Sequence, residues 1–114
     1  MITNQNATLK KGDMKRFTIP IEKLDGTEVD LRNFTVYWYL YRENGYAPIV
    51  TKASTDTNQI KITDPLTGEV TVILRSQDTK TLTDGRYYHE LQIVDNEGEP
   101  STVTTGYLTI LSKT

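Results

Sequence analysis

The sequence predicts an all-β chain folded as an antiparallel β-sandwich of about seven strands, with one short helical turn. Three observations predict it. Apolar residues recur at every second position in several short runs, the pattern of strands with one buried face. These runs are separated by Gly, Pro, Asn and Asp clusters, with no helical crossover between them. Thr makes up about a sixth of the 114 residues, and the 7 Tyr outnumber the 2 Phe. β-Branched and aromatic side chains suit a pleated, half-buried surface.

The strands follow in order. From Arg16, the residues Phe17, Ile19 and Ile21 share one face, while Arg16, Thr18 and Pro20 share the other. Pro20 has no N–H, so this strand belongs at an edge or turns that position outward. Leu24-Asp-Gly-Thr27 reads as a turn, with Val29 and Leu31 in a short extended return. Thr35 to Tyr41 is the strongest strand: Val36, Trp38 and Leu40 face one way, Tyr37, Tyr39 and Tyr41 the other. Asn44-Gly45 marks a turn before a strand at Ile49–Lys52, and Ile60–Ile62 is another short strand. Asp64-Pro-Leu-Thr-Gly68 reverses the chain into Val70, Val72 and Leu74. Ser76 to Leu82 is the one segment of helical character, with Ser76 as its expected cap and Leu82 as its anchor. Tyr87, His89, Leu91 and Ile93 then alternate, Asp95-Asn-Glu-Gly98 closes a hairpin, and Val103, Leu108 and Ile110 form the last strand. Gly106 interrupts that strand and reads as a bulge.

Leu82-Thr-Asp-Gly-Arg-Tyr87 places a Tyr two residues after a Gly at the end of a short connection. Immunoglobulin-type sandwiches put a tyrosine there, where the chain crosses between sheets. The sandwich is therefore expected to be immunoglobulin-like. Residues 13–114 are expected to form it, and residues 1–12, polar and aperiodic, to be either a frayed terminus or an arm that docks on a neighbouring subunit.

Composition narrows the chemistry. A net charge of −2 with scattered Lys and Arg is unlike the basic stripe of a nucleic-acid binder. The absence of cysteine removes disulfides, thiol catalysis and zinc–thiolate sites. No apolar run approaches the roughly 20 residues that cross a bilayer. The N-terminus has neither a charged head nor an apolar segment of signal-peptide type, so the expectation is a protein made in, and not exported from, a cytoplasm. His89 is the only histidine and lies within an alternating strand, which favours a structural role over a triad or metal site. Asp56-Thr-Asn58 and Asp95-Asn-Glu-Gly-Glu99 gather oxygen ligands, but turn formation explains both, and calcium needs six or more converging ligands. No catalytic, cofactor-binding or metal-binding residue is expected, and no cofactor.

Tyr37, Tyr39 and Tyr41 carry the functional expectation. Tyrosine has an apolar body and a polar tip and is enriched at interfaces. The alternative is that these rings cover neighbouring strands by cross-strand pairing. Leu9, Lys10 and Lys11, at the end of the N-terminal arm, are the other candidate contact residues.

The order of motifs carries a resemblance. Gly12-Asp13 leads into an alternating strand; Asp25-Gly26 and Val29-Asp-Leu31 precede an aromatic strand. Asp64-x-x-x-Gly68-x-Val-x-Val-x-Leu74, Ser76-x-Asp-Thr79-x-x-Leu82-x-x-Gly85-x-Tyr87 and Asp95-x-x-Gly98 follow. In this order and spacing the chain resembles, over nearly all its length beyond residue 9, small proteins of bacteriophage and prophage structural modules. The resemblance implies a non-enzymatic virion component, made and assembled in the host bacterial cytoplasm. It would bind capsid, neck or tail and baseplate proteins in several copies or as a homo-oligomer, without nucleic acid or membrane. Related immunoglobulin-like domains occur in upper baseplate proteins and in capsid decoration or fibre proteins. The family's third strand is often less aromatic than Tyr37-Trp-Tyr-Leu-Tyr41. The reading that competes with it is a carbohydrate-binding or host-surface adhesion module, with the tyrosines stacking on sugar rings.

Overall fold

A computed structural model describes residues 3–21, 30–42 and 47–112. The expected turns at Asp25-Gly26 and Asn44-Gly45, and Val29, lie outside the described residues. Nine strands and one helical turn occur among the described residues: β1 (Thr3–Asn4), β2 (Ala7–Lys10), β3 (Lys15–Pro20), β4 (Thr35–Arg42), β5 (Val50–Ala53), β6 (Ile60–Asp64), β7 (Glu69–Leu74), α1 (Ser76–Thr79), β8 (Gly85–Val94) and β9 (Pro100–Leu111). One sheet has the order β1-β9-β8-β4-β5 with β2 also on β9; the other has the order β3-β7-β6.

The two sheets pack as an immunoglobulin-like sandwich. Val36, Trp38 and Leu40 of β4, Leu91 of β8 and Leu108 and Ile110 of β9 meet Ile19 of β3 and Val70, Val72 and Leu74 of β7 in one buried cluster. Period-two alternation places these residues inward, and removing an aliphatic side chain of this kind costs about 2–5 kcal/mol. The tyrosine corner is present: the Tyr87 hydroxyl donates to the Thr83 carbonyl at 2.7 Å.

The N-terminal segment departs from the expectation. The sequence reads residues 1–12 as a frayed terminus or a docking arm, yet β1 and β2 lie within the first sheet and run parallel to β9, Ala7 opposite Leu108 and Lys10 opposite Leu111. Leu9 is 4% exposed and belongs to the core. The polar look of the segment conceals this, because Ala7 and Leu9 alone anchor a four-residue strand at the sheet edge. The sandwich is thus not wholly antiparallel.

Gly106 also has another role. The bulge in β9 falls at Val103, since Leu91 pairs with Thr104 and Gln92 with Thr102. Gly106 instead lies under the step between β1 and β2. A Cβ there would sit 1.9 Å from the Gln5 carbonyl oxygen and 3.0 Å from His89 Nε2. At this step the Asn6 side chain replaces a ladder carbonyl, its Oδ1 accepting the Tyr107 N–H at 2.9 Å.

The helical segment is a single turn, as expected, but it starts differently. Ser76 is its first helical residue, Arg75 is the cap position, and the Asp78 carboxylate accepts the Arg75 N–H at 2.8 Å. Asp78 also holds Lys52 Nζ at 2.7 Å, with side-chain exposures of 8% and 16% for Lys52 and Asp78. Lys52 lies opposite Trp38 on the inward face of β5, so this ion pair fastens α1 to the first sheet.

Two predictions follow from these contacts. Gly106→Ala should lower the unfolding free energy by about 1–3 kcal/mol, the usual cost of an overpacked site, and raise amide exchange across Thr3–Lys10. Asp78→Ala should cost roughly 3–5 kcal/mol, because it strands a buried ammonium. Adding Lys52→Met should restore most of that loss in urea denaturation.

Candidate functional site

The outward face of the first sheet carries a continuous track of tyrosines. Strand register builds it: Tyr41 of β4 lies opposite Tyr88 of β8, and Tyr88 opposite Tyr107 of β9. Along β4 the period of two adds Tyr39 and Tyr37 on the same face. Centroid separations are 6.2 Å for Tyr37–Tyr39, 6.3 Å for Tyr39–Tyr41, and 6.1 Å for both Tyr41–Tyr88 and Tyr88–Tyr107. The track is L-shaped, with one limb along β4 and the other across three strands.

Polar groups fix the rings. The Tyr88 hydroxyl donates to Glu90 Oε1 at 2.9 Å, and the Tyr39 hydroxyl donates to Gln92 Oε1 at 3.5 Å. The Arg86 guanidinium covers the Tyr107 ring at 4.4 Å from its centroid, a cation–π contact. Partial burial raises the pKa of Tyr39 and Tyr41. Tyr88 is pushed up to about 12, first by burial and then by the Glu90 carboxylate beside it. All three hydroxyls are therefore neutral donors at neutral pH.

Tyr37, Tyr39 and Tyr41 come together as expected, each half-buried. Tyr88, Tyr107, Arg86 and Glu90 complete the face and escaped sequence reasoning. Alternation against Tyr87 places Tyr88 outward, but only register brings it beside Tyr41. The N-terminal residues do not form one contact surface. Leu9 is buried in the core, Lys10 is exposed on β2 opposite Leu111, and Lys11 Nζ pairs with Asp84 Oδ1 at 2.9 Å.

His89 is tied into the structure. The Trp38 indole N–H donates to its Nδ1 at 3.2 Å, and its Nε2 lies 2.6 Å from the Gln5 carbonyl oxygen. A carbonyl only accepts, so the proton is on Nε2 and the ring is neutral. Burial lowers its pKa, and the bond to Gln5 partly opposes this. The acidic loops are self-contained turns: Asp56 Oδ1 accepts the Asn58 N–H, and Asp95 Oδ1 accepts those of Glu97 and Glu99. Among the described residues no three His, Asp or Glu side chains are grouped to hold a metal.

No family model and no curated protein matches the chain. Solved structures do. CopC from Methylosinus trichosporium OB3b aligns with a TM-score of 0.51 at 13% identity, over 96% of this chain and 86% of that one. Murine CRIg aligns with a TM-score of 0.46 at 12% identity, over 96% and 92%. A chain of the complex of ICOS with ICOS-L and an anti-ICOS-L VNAR domain gives 0.41 at 12% identity, over 98% and 55%. The chain is an immunoglobulin-like β-sandwich. At such identities the likeness is one of fold, and function has to be argued from the site.

The ionisation of Tyr88 has a measurable consequence. A phenol whose folded pKa lies above its unfolded value of about 10 contributes stability that is complete below that pH. That contribution should vanish as pH rises from about 10 to about 12. Phenolate absorbance should show Tyr88 titrating late, with Tyr39 and Tyr41 also displaced upward, and Glu90→Gln should move the Tyr88 midpoint down.

Proposed function

We propose that the chain is a non-enzymatic structural or accessory protein of a bacteriophage particle, binding other particle proteins through the tyrosine face. The observation that carries a binding role is the track Tyr37–Tyr39–Tyr41–Tyr88–Tyr107, contiguous over β4, β8 and β9. Such a surface offers rigid apolar area with little side-chain entropy to lose, and outward hydroxyls for a partner's backbone. The phage context rests on the order and spacing of the turn motifs from Gly12-Asp13 to Asp95-x-x-Gly98. In this reading the protein is made in the bacterial cytoplasm and assembles in several copies on the head, neck or tail of the particle.

Carbohydrate binding or host-surface adhesion is the alternative use of exposed tyrosines. The ring spacing disfavours one mode of sugar binding, the sandwich between two neighbouring rings. A sugar sandwiched between two rings needs about 7 Å or more, two carbon–carbon contacts of about 3.5 Å. Neighbouring rings here are 6.1–6.3 Å apart, and the Tyr107 ring is already covered by Arg86.

Purified particles from the culture that carries the gene provide the test. The wild-type chain should be detected in them by mass spectrometry in multiple copies. Tyr41→Ser with Tyr88→Ser should keep the far-ultraviolet spectrum of the fold yet lower incorporation roughly 30-fold, the equivalent of one hot-spot residue at about 2 kcal/mol. Absence of the wild-type chain from particles, or normal incorporation of the double variant, would refute the proposal.

A further inference from the structure

The second sheet leaves one strand position open. In constant-type immunoglobulin domains the first strand heads the sheet that also holds strands B, E and D. Here β3, β7 and β6 form that sheet alone, because the first strands have gone to β9 on the other sheet. Among the described residues β3 therefore has β7 as its only strand neighbour.

The hydrogen-bond phase of β3 shows which groups face outward. Ile21 donates its N–H to the Gly68 carbonyl at 2.8 Å, so the odd-numbered residues of this strand direct their backbone toward β7. Ile73, opposite Arg16, sends its N–H away from β3 to the Gln59 carbonyl at 2.8 Å, in agreement. In an antiparallel ladder the alternate residues then point their N–H and C=O groups to the free side. Those residues are Arg16 and Thr18, about 6.8 Å apart, with Pro20 contributing a carbonyl alone. Among the described residues, bonds from turns and loops reach none of these groups.

Beside this edge lies a crevice of about 270 Å³ between β3 and the β1–β2 step, lined by Phe17, Ile19, Trp38, His89, Gln5 and Lys15 among others. It has room for an aliphatic side chain, with Ala7, Phe17, Ile19 and Trp38 as its apolar lining and Gln5, Asn6, Thr18 and His89 among its polar lining. Its charge is one-sided. Lys15 Nζ lies 5.6 Å from the Phe17 ring centroid, Arg16 is exposed, and neither pairs with an acidic side chain among the described residues.

We propose that the free edge of β3 and this crevice form a second docking site, which takes an extended acidic segment of a partner polypeptide as an added strand. Arg16 and Thr18 supply the main-chain hydrogen bonds, the crevice receives one inward side chain, and Lys15 and Arg16 pair with carboxylates. This is strand addition to a sheet edge, in which the ladder gives affinity and the pocket and charges give selectivity. Cations on an edge discourage pairing with another basic or apolar strand; they favour an acidic one.

The test is a nitrogen-15 NMR titration of the intact chain with a blocked eight-residue peptide of alternating glutamate and valine. Saturable shifts are expected at the Arg16 and Thr18 amides and the Trp38 indole, without shifts at the amides of Tyr37, Tyr39 and Tyr41. A lysine–valine peptide should produce none. Thr18→Pro, which deletes an outward N–H at a strand-edge position that tolerates proline, should weaken binding at least tenfold. Lys15→Glu with Arg16→Glu should reverse the peptide preference without touching the backbone. The proposal is overturned by failure to saturate at millimolar peptide, by equal binding of the two peptides, or by shifts centred on the tyrosine face. Self-association in sedimentation that Thr18→Pro abolishes would assign the edge to a second copy of the chain, and would overturn it as well.

Discussion

The imidazole of His89 is the joint on which the arrangement turns. It accepts the Trp38 indole N–H on one nitrogen and faces the Gln5 carbonyl with the other. Two strands of the first sheet, β4 and β8, and the step between β1 and β2 are thereby connected through one side chain. His89 stands two residues after the tyrosine of the corner, the place where antibody domains put the second cysteine of their inter-sheet disulfide, against the same tryptophan. In a chain without cysteine, a fully satisfied hydrogen-bonded pair occupies that place. Both ring nitrogens have partners, which removes the penalty of burying a polar group. Gly106 makes the contact possible, since any side chain there would collide with the Gln5 carbonyl.

This joint has a topological consequence. Holding Gln5 over β9 commits the first strands to the first sheet and leaves β3 as the edge of the second. The crevice, the outward backbone of Arg16 and Thr18, and the cations Lys15 and Arg16 all lie where the first strand would otherwise run. Stability at the opposite edge of the first sheet comes from a different device. There the Lys52–Asp78 ion pair secures α1 against β5, while Asp78 also receives the Arg75 N–H. Two charges with such low exposure are stable only because each has its partner.

The tyrosine face depends on register as much as on composition. A one-residue slip between β4 and β8 would carry Tyr88 to the core and Tyr87 to the surface. The corner bond from Tyr87 to Thr83 opposes such a slip, because it fixes which of the two adjacent tyrosines points inward. Core and surface are thus set by the same few residues, and the raised pKa values of Tyr39, Tyr41 and Tyr88 follow first from their partial burial.

Much of this was legible from the sequence, because the information was local. The alternation of Val36, Trp38 and Leu40 against Tyr37, Tyr39 and Tyr41 fixes which side of β4 is core, since side chains on a strand leave on alternate faces. Pro20 marks its strand as an edge, as an amide without a proton cannot serve an inner ladder. The Gly85–Tyr87 step identifies the corner for the same local reason. Non-local placement was not legible. Nothing in the polar run before Gly12 specifies a parallel partner a hundred residues away, and Gly106 reads as a bulge until the Gln5 carbonyl is seen above it. The extension of the track to Tyr88 and Tyr107, the pairing of Lys52 with Asp78, and the open edge of β3 likewise belong to the tertiary structure. Strand pattern is a property of neighbours along the chain, whereas register and sheet order are settled by contacts between distant segments.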